Sequence, residues 1–161
     1  MNTQKERDKK FLERAIELSK QGMLSGQGGP FGCIVVRGDE IVGEGNNQVT
    51  SSNDPTAHAE VVAIRNACEK LGTYQLNDCE IYTSCEPCPM CLGAIYWARP
   101  KRVVYANTKE DAAAIEFDDD FIYNEIAASM PDRKIPFVHY PHPKAAEVFA
   151  AWKNWEGKKK Y

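Results

Sequence analysis

Apolar side chains recur every three to four residues between about residues 8 and 24, which predicts an amphipathic helix. Glycines and a proline crowd residues 25–30, and such residues end a helix rather than extend it. Residues 31–36 and 41–45 are apolar and rich in β-branched side chains, with a short polar stretch between them. This pattern predicts two strands joined as an antiparallel hairpin.

Helical and strand patterns alternate through the middle of the chain. Apolar residues return at helical spacing over residues 56–71 and 89–98. A short strand is predicted after each of these helices, at residues 80–83 and 102–106. Such alternation indicates an α/β fold in which helices pack on the faces of a mixed sheet.

The pattern is less regular in the last third of the chain. An acidic segment at residues 116–120 precedes a predicted helix over residues 121–128 and a short strand at residues 135–139. A last helix is predicted over residues 144–155. Because no repeat or low-complexity linker interrupts the sequence, we expect a single domain over residues 1–161.

Composition and charge exclude several classes of protein. The chain is 43% hydrophobic and 27% charged, which is typical of a globular protein rather than a disordered or membrane one. Its formal net charge of −3 gives little non-specific attraction to phosphate backbones, so a nucleic-acid partner is not expected. The first ten residues are polar and no apolar signal region follows them, so we expect a cytoplasmic protein.

Six cysteines raise the question of disulfides or metal. Cys85, Cys88 and Cys91 fall within seven residues, a spacing that suits a metal or reactive site better than a disulfide framework. The other three lie in apolar or amphipathic stretches and are interpreted as small buried hydrophobes, namely Cys33, Cys68 and Cys79.

The candidate chemistry lies in a His-x-Glu followed by a Pro-Cys-x-x-Cys. His58, Cys88 and Cys91 supply three of the four ligands of a tetrahedral zinc ion, which leaves the fourth position to water or hydroxide. Two cysteines three residues apart in the first helical turn share one face, where the helix dipole favours thiolates. Glu60 would lie beside His58 at a helix start and move protons as a general acid and base.

Other interpretations of the same residues remain open. A Cys-x-x-Cys in a cytoplasmic protein is also typical of a redox pair. Cys85 is available as a fourth protein ligand, which would make the zinc site structural and the protein a non-catalytic zinc-binding scaffold. The two motifs occur together, each at the start of a predicted helix, and this favours the catalytic interpretation.

The sequence resembles the cytidine deaminase-like superfamily, whose zinc-dependent base deaminases carry H-x-E…P-C-x-x-C. Within it, the chain resembles the short bacterial guanine deaminases along nearly its whole length. The matching stretches are GGPFG at residues 28–32, NDPTAHAE at 53–60, TSCEPCPMCLGAIYWARP at 83–100, the FDD and FIY of residues 117–123, and the terminal Tyr161.

The resemblance implies a three-layer α/β/α fold with a mixed central sheet of about five strands and one Zn²⁺ in each subunit. It implies hydrolysis of guanine to xanthine and ammonia, with Glu60 as proton shuttle and Asp119 assisting near the amino group. Four residues would bind the base: Asn47 at the purine carbonyl, Phe31 and Trp97 as apolar surface, and Tyr161 as a closing lid.

The resemblance also implies a homodimer in which the C-terminal segment, about residues 131–161, is exchanged between subunits. Guanosine, cytosine, a triazine or adenosine in transfer RNA remain alternative substrates of the same chemistry. The low net charge counts against the transfer-RNA case.

Overall fold

A computed structural model describes residues 3–161 of the chain. Helices and strands alternate as the hydrophobic pattern predicts, and the described residues form the following elements in order: α1 (Thr3–Leu24), β1 (Gly32–Arg37), β2 (Glu40–Asn46), α2 (Val49–Ser52), α3 (Ala59–Leu71), β3 (Cys79–Cys85), α4 (Pro89–Ala98), β4 (Arg102–Asn107), α5 (Lys109–Ala114), α6 (Asp120–Ala127), a 3₁₀ turn (Met130–Asp132) and α7 (Pro143–Asn154).

The four strands form one mixed sheet in the order β2-β1-β3-β4. Strand β1 is antiparallel to both β2 and β3, whereas β3 and β4 run parallel. The α/β class and the mixed sheet are therefore confirmed. The sheet has four strands where about five were expected, because residues 135–139 run without a strand partner in this chain.

Helices cover both faces of the sheet. On one face, Phe11 of α1 packs with Ile34 of β1 and Tyr82 of β3. On the other face, a second apolar cluster joins the neighbouring β1 residue Val35 to Ala63 of α3 and to α4. Because successive strand residues point to opposite faces, β1 contributes to both clusters, and this gives the predicted three layers.

Two glycines of β2 let α3 approach the sheet closely. A Cβ on Gly43 would collide with the backbone oxygen of Ala63, and one on Gly45 would collide with that of Ala59. Only a residue without a side chain fits at such a contact. The first turn of α3 is thereby held against the end of β2, close to the residues described below.

The chain divides into two compact units, one ending at Asp119 and the other spanning Asp120–Tyr161. The second unit holds α6, the 3₁₀ turn and α7. No side chain within Asp120–Tyr161 is buried. Its exposed large apolar side chains include Phe121, Ile126, Ile135, Phe137, Val138, Val148, Phe149 and Trp155.

The first unit holds the sheet and the sequence motifs. Its predicted helices and strands are present within a few residues of the expected bounds. The short helices α2 and α5 were not predicted, because the sequence pattern of their segments is polar or irregular. None of the helices described over residues 3–161 is both long and apolar enough to span a bilayer.

Candidate active site

The N-terminal ends of α3 and α4 bring the two sequence motifs together. His58 immediately precedes α3, and Cys88 immediately precedes α4, both in an extended backbone conformation. The turn before His58 is held by Asp54, whose carboxylate accepts hydrogen bonds from the Thr56 backbone N–H at 2.8 Å and hydroxyl at 2.7 Å. Pro89 suits the first turn of α4, where its missing N–H costs nothing.

Three side chains at these ends have the geometry of a zinc site. The Nδ1 atom of His58 lies 3.5 Å from the sulfur of Cys88 and 3.5 Å from the sulfur of Cys91. Zn–S bonds of about 2.3 Å and Zn–N bonds of about 2.0 Å at a tetrahedral angle require an N···S separation of about 3.5 Å. The three residues therefore fit a zinc ion, and they form a group of mutually close ligand atoms among the described residues.

The two thiols shift each other's pKa in opposite directions. The neighbouring Cys91 thiol holds the pKa of the Cys88 thiol down, to about 4, by hydrogen bonding to its sulfur. The same pairing, together with burial, raises the pKa of Cys91. Cys88 at the N-cap of α4 and Cys91 in its first turn both lie at the positive end of the helix dipole, which favours negative charge.

Glu60 is buried beside this group. It lies in the first turn of α3, is only 5% exposed and accepts a hydrogen bond of 2.7 Å from the Thr83 hydroxyl of β3. Burial raises the pKa of the Glu60 carboxyl, and the Thr83 hydrogen bond opposes that shift. A raised pKa makes the Glu60 carboxylate a stronger base than an ordinary glutamate, which suits a group that takes up and releases protons.

Asn47 is buried at the end of β2, with 6% exposure. Its side-chain oxygen accepts a hydrogen bond from the Val49 backbone N–H at 3.1 Å, which fixes the orientation of the amide. A Cβ on Gly28 would collide with that oxygen, so the glycine loop (residues 25–30) makes room for Asn47. The amide nitrogen is left as the group with which Asn47 can donate to a ligand.

The predicted apolar surface at Phe31 includes a second ring. Phe31 is half-buried before β1 and packs edge-on against Phe117, with ring centroids 5.0 Å apart. A Cβ on Gly29 would lie within 2.9 Å of the Phe117 ring. The glycine loop thus packs against both aromatic rings.

The roles of all the predicted site residues stay predictions, and three of these residues lie in exposed or half-buried positions. Trp97 lies in the last turn of α4 and is 62% exposed, about 13 Å along the helix from Cys88. Asp119 is half-buried, whereas Asp118 and Asp120 on either side are exposed. Tyr161 is exposed in the second unit.

Cys85 lies outside the group of close ligand atoms. It is buried, and its sulfur is 3.6 Å from the backbone oxygen of Thr108. Burial raises the pKa of its thiol to about 11.

Two residues with contacts at this site were absent from the predicted set. Phe117 stands in the FDD stretch, and its packing against Gly29 and Phe31 is a contact between distant parts of the sequence. Thr83 gave no sequence signal, because a threonine is ordinary in a strand and its partner depends on how β3 lies against α3.

Comparison with known proteins identifies relatives along most of the chain. Residues 5–107 match the model of the cytidine and deoxycytidylate deaminase zinc-binding region. A guanine deaminase of Bacillus subtilis is 57% identical over 151 residues, which cover 94% of this chain and 97% of the relative. A tRNA-specific adenosine deaminase of Aquifex aeolicus is 32% identical over 141 residues, covering 87% of this chain and 89% of that one.

The fold agrees with these matches. The X-ray structure of the guanine deaminase from Bacillus subtilis superposes with a TM-score of 0.93 at 56% identity, covering 95% of this chain and 98% of that one. The matched region contains His58, Glu60, Cys88 and Cys91. The chain therefore belongs to the cytidine and deoxycytidylate deaminase family and carries its zinc-binding region.

Proposed function

We propose that this chain is a guanine deaminase, a hydrolase acting on C–N bonds in cyclic amidines that converts guanine and water to xanthine and ammonia. The observation that carries the proposal is the buried Glu60 beside the His58, Cys88 and Cys91 group. The choice of guanine is supported by the 57% identity to a guanine deaminase over most of both chains. Such an enzyme serves purine catabolism and salvage.

The site residues have two tasks: three of them would bind the zinc ion that supplies the nucleophile, and Glu60 transfers protons. His58, Cys88 and Cys91 would hold one zinc ion, which supplies a nucleophile at neutral pH by lowering the pKa of its water to about 7. Glu60 takes a proton from the attacking water and passes it to a ring nitrogen, which makes the amino-bearing carbon electrophilic. Glu60 then takes the second proton, from the oxygen that has added to the carbon, and delivers it to the amino group, which leaves as ammonia while the carbon becomes a carbonyl.

The fixed amide of Asn47 supports recognition of a purine carbonyl. Its oxygen is occupied by the Val49 N–H, so its nitrogen is the group that faces a ligand as donor. An N–H at that position donates to the O6 carbonyl of guanine and disfavours the amino group that adenine carries there. Phe31 and Trp97 supply apolar surface to the ring, Asp119 contacts the edge near the amino group, and Tyr161 closes the pocket.

The proposed functional unit is a homodimer in which the C-terminal segment, about residues 131–161, is exchanged. The support is the second unit, Asp120–Tyr161, whose large apolar side chains stay exposed in the single chain. A compact unit with no buried side chain needs another surface to cover it. In an exchanged dimer, the Tyr161 of one subunit would close the pocket of the other.

We place the protein in the cytoplasm, without a nucleic-acid partner. All six cysteines are free, as the reducing cytoplasm requires. The net charge of −3 favours a free base over a polynucleotide as substrate.

The test is an ammonia-release assay with guanine, guanosine, cytosine and adenine, run beside the Glu60→Gln variant. We expect guanine to be the preferred substrate and Glu60→Gln to lower kcat by about 10³-fold or more while zinc content stays unchanged. No ammonia from either guanine or guanosine would refute the proposed function. Normal turnover by Glu60→Gln would refute the role of Glu60.

A further inference from the structure

Strand β3 places two buried hydroxyl groups next to each other in the sequence but on opposite faces of the sheet. The Oγ of Ser84 accepts a hydrogen bond of 3.0 Å from the backbone N–H of Gly32 in the neighbouring strand. The hydroxyl of Thr83 donates instead to Oε1 of Glu60 at 2.7 Å. Both residues are almost fully buried. Of these two hydroxyl groups, it is that of Thr83 which joins the sheet to the reacting carboxylate.

The Thr83 hydroxyl has one hydrogen to donate, and its distances show where that hydrogen goes. The backbone oxygen of Gly32 lies 3.5 Å away, whereas Oε1 of Glu60 lies 2.7 Å away. The shorter distance and the charge of the carboxylate both favour the bond to Glu60. Oε1 thus accepts a hydrogen bond from the strand, in a site where both residues are buried.

We propose that Thr83 is a positioning residue that holds Oε1 of Glu60, so that proton transfer runs through Oε2. Thr83 itself neither gains nor loses a proton in the reaction. A carboxylate with one oxygen anchored to a rigid central strand cannot turn away from the substrate or exchange the roles of its two oxygens. The inference rests on the proposed function, because it assigns Thr83 a role only through Glu60.

The test compares Thr83→Val, which keeps the shape and loses the hydroxyl, with Thr83→Ser, which keeps the hydroxyl. We expect Thr83→Val to lower kcat for guanine by roughly 10- to 100-fold, because misplaced reacting groups cost that much, and to change KM less than about threefold. Thr83→Ser should keep kcat within about threefold of the unmodified protein. Zinc content should equal one ion per chain in both variants.

A matched control removes the neighbouring buried hydroxyl. Ser84→Ala loses a buried strand hydrogen bond that does not reach Glu60. It should lower the thermal midpoint about as much as Thr83→Val while kcat stays within about threefold. Should Thr83→Val fold poorly, Thr83→Ala takes its place in the same comparison.

A double-mutant cycle with Glu60→Gln separates positioning from general damage to the strand. Because Thr83 acts through Glu60, adding Thr83→Val to Glu60→Gln should cause no further loss of kcat. A further loss as large as in the unmodified background would overturn the proposal. So would full kcat in Thr83→Val, equal losses in Thr83→Ser and Thr83→Val, or an equal loss in Ser84→Ala.

The same series distinguishes a failure of this inference from a failure of the proposed function. If the unmodified protein releases no ammonia from guanine, the proposed function is wrong and the role of Thr83 falls with it. If the unmodified protein is active and Glu60→Gln is not, but Thr83→Val matches the unmodified protein, only the role of Thr83 is wrong.

Discussion

Individual residues of the site differ sharply in what they contribute, and Cys85 is the clearest contrast to its neighbours. It stands three residues before Cys88, yet its sulfur contacts the Thr108 carbonyl and belongs to no close group of ligand atoms within residues 3–161. We expect Cys85→Ser to keep about one zinc ion per chain, since three protein ligands and water complete a catalytic site. Metal analysis of the purified variant checks this.

Cys88→Ser is the positive control for that measurement, because it removes a sulfur 3.5 Å from His58. It should lose stoichiometric zinc. Loss of zinc from Cys85→Ser as well would indicate a closed structural site and favour the non-catalytic scaffold.

Asn47 allows a substitution that removes one hydrogen bond and keeps another. Asn47→Asp retains an oxygen for the Val49 N–H but replaces the donating nitrogen by an acceptor. We expect kcat/KM for guanine to fall by about 100-fold or more, because a buried acceptor would then face the O6 carbonyl. Steady-state kinetics on guanine, with metal content as control, measures it. An unchanged kcat/KM would contradict the assigned role of Asn47.

The sequence motifs predicted the three metal-binding residues but not the contacts around them. His58, Cys88 and Cys91 were identifiable because zinc requires particular ligand types at particular spacings. The contact from Thr83 to Glu60 was not, because it depends on the register of β3 against β1 and on where α3 lies. The carbonyl-binding role of Asn47 came only from the family resemblance, since an asparagine at a strand end is ordinary in a turn.

Among the elements, α1 is tied to β3 and β4 by a group of charged and phenolic side chains. Arg102 of β4 donates to Asp8 of α1 at 2.9 Å and to Glu80 of β3 at 2.8 Å. The hydroxyl of Tyr82 lies 2.9 Å from Asp8 and 2.7 Å from Glu80. The Arg102 guanidinium holds the pKa of the Asp8 carboxyl well below its usual range.

This depressed pKa makes the stability of the fold depend on pH in a definite direction. The Asp8 carboxylate contributes stability above the unfolded pKa of about 4, and that contribution is lost as the pH falls towards the lower folded pKa. Asp8→Asn should therefore lower the free energy of unfolding by about 1–2 kcal/mol at pH 7, and by progressively less below pH 4. Urea unfolding of both proteins across this pH range measures the difference.

The control for Asp8 is an acidic residue of the same helix with a weaker pairing. Glu13 lies 3.7 Å from Lys9, and both side chains are well exposed. Glu13→Gln should change stability by no more than about 0.5 kcal/mol at any of these pH values. An Asp8→Asn difference that stays constant with pH would contradict the ionic explanation.

Helices and strands with strongly buried residues lie where the hydrophobic pattern predicts them. Helix α4 matches its predicted bounds of residues 89–98, because Pro89 and the Arg99-Pro100 pair mark its two ends. The short α5 was missed although its Thr108 and Asp111 form a capping box, a signal that a sequence can show. The strand predicted at residues 135–139 is absent from this chain's sheet, because alternation alone does not supply a partner strand.

For the whole molecule, the distribution of burial differs between the two units. The unit ending at Asp119 holds all the buried side chains, whereas Asp120–Tyr161 holds none. Exposed aromatic side chains also lie on the first unit, at Tyr96, Trp97 and Tyr105. Both units thus offer apolar area that a second copy of the chain would cover in the proposed dimer.

The exchanged dimer makes a sharp prediction for mixed subunits. Deleting residues 157–161 should leave folding intact but lower kcat, because it removes Tyr161, the residue proposed to close the pocket. Glu60→Gln carries a normal tail but an inactive site. If each tail closes the partner's pocket, a mixed dimer has one site with both Glu60 and Tyr161. Random assembly of equal amounts should then restore about a quarter of the active sites.

Ammonia release from co-refolded chains measures the fraction of sites that is restored. Activity no greater than the sum of the separate variants would mean that each tail acts on its own chain, and full activity of the truncated chain would remove Tyr161 from the site.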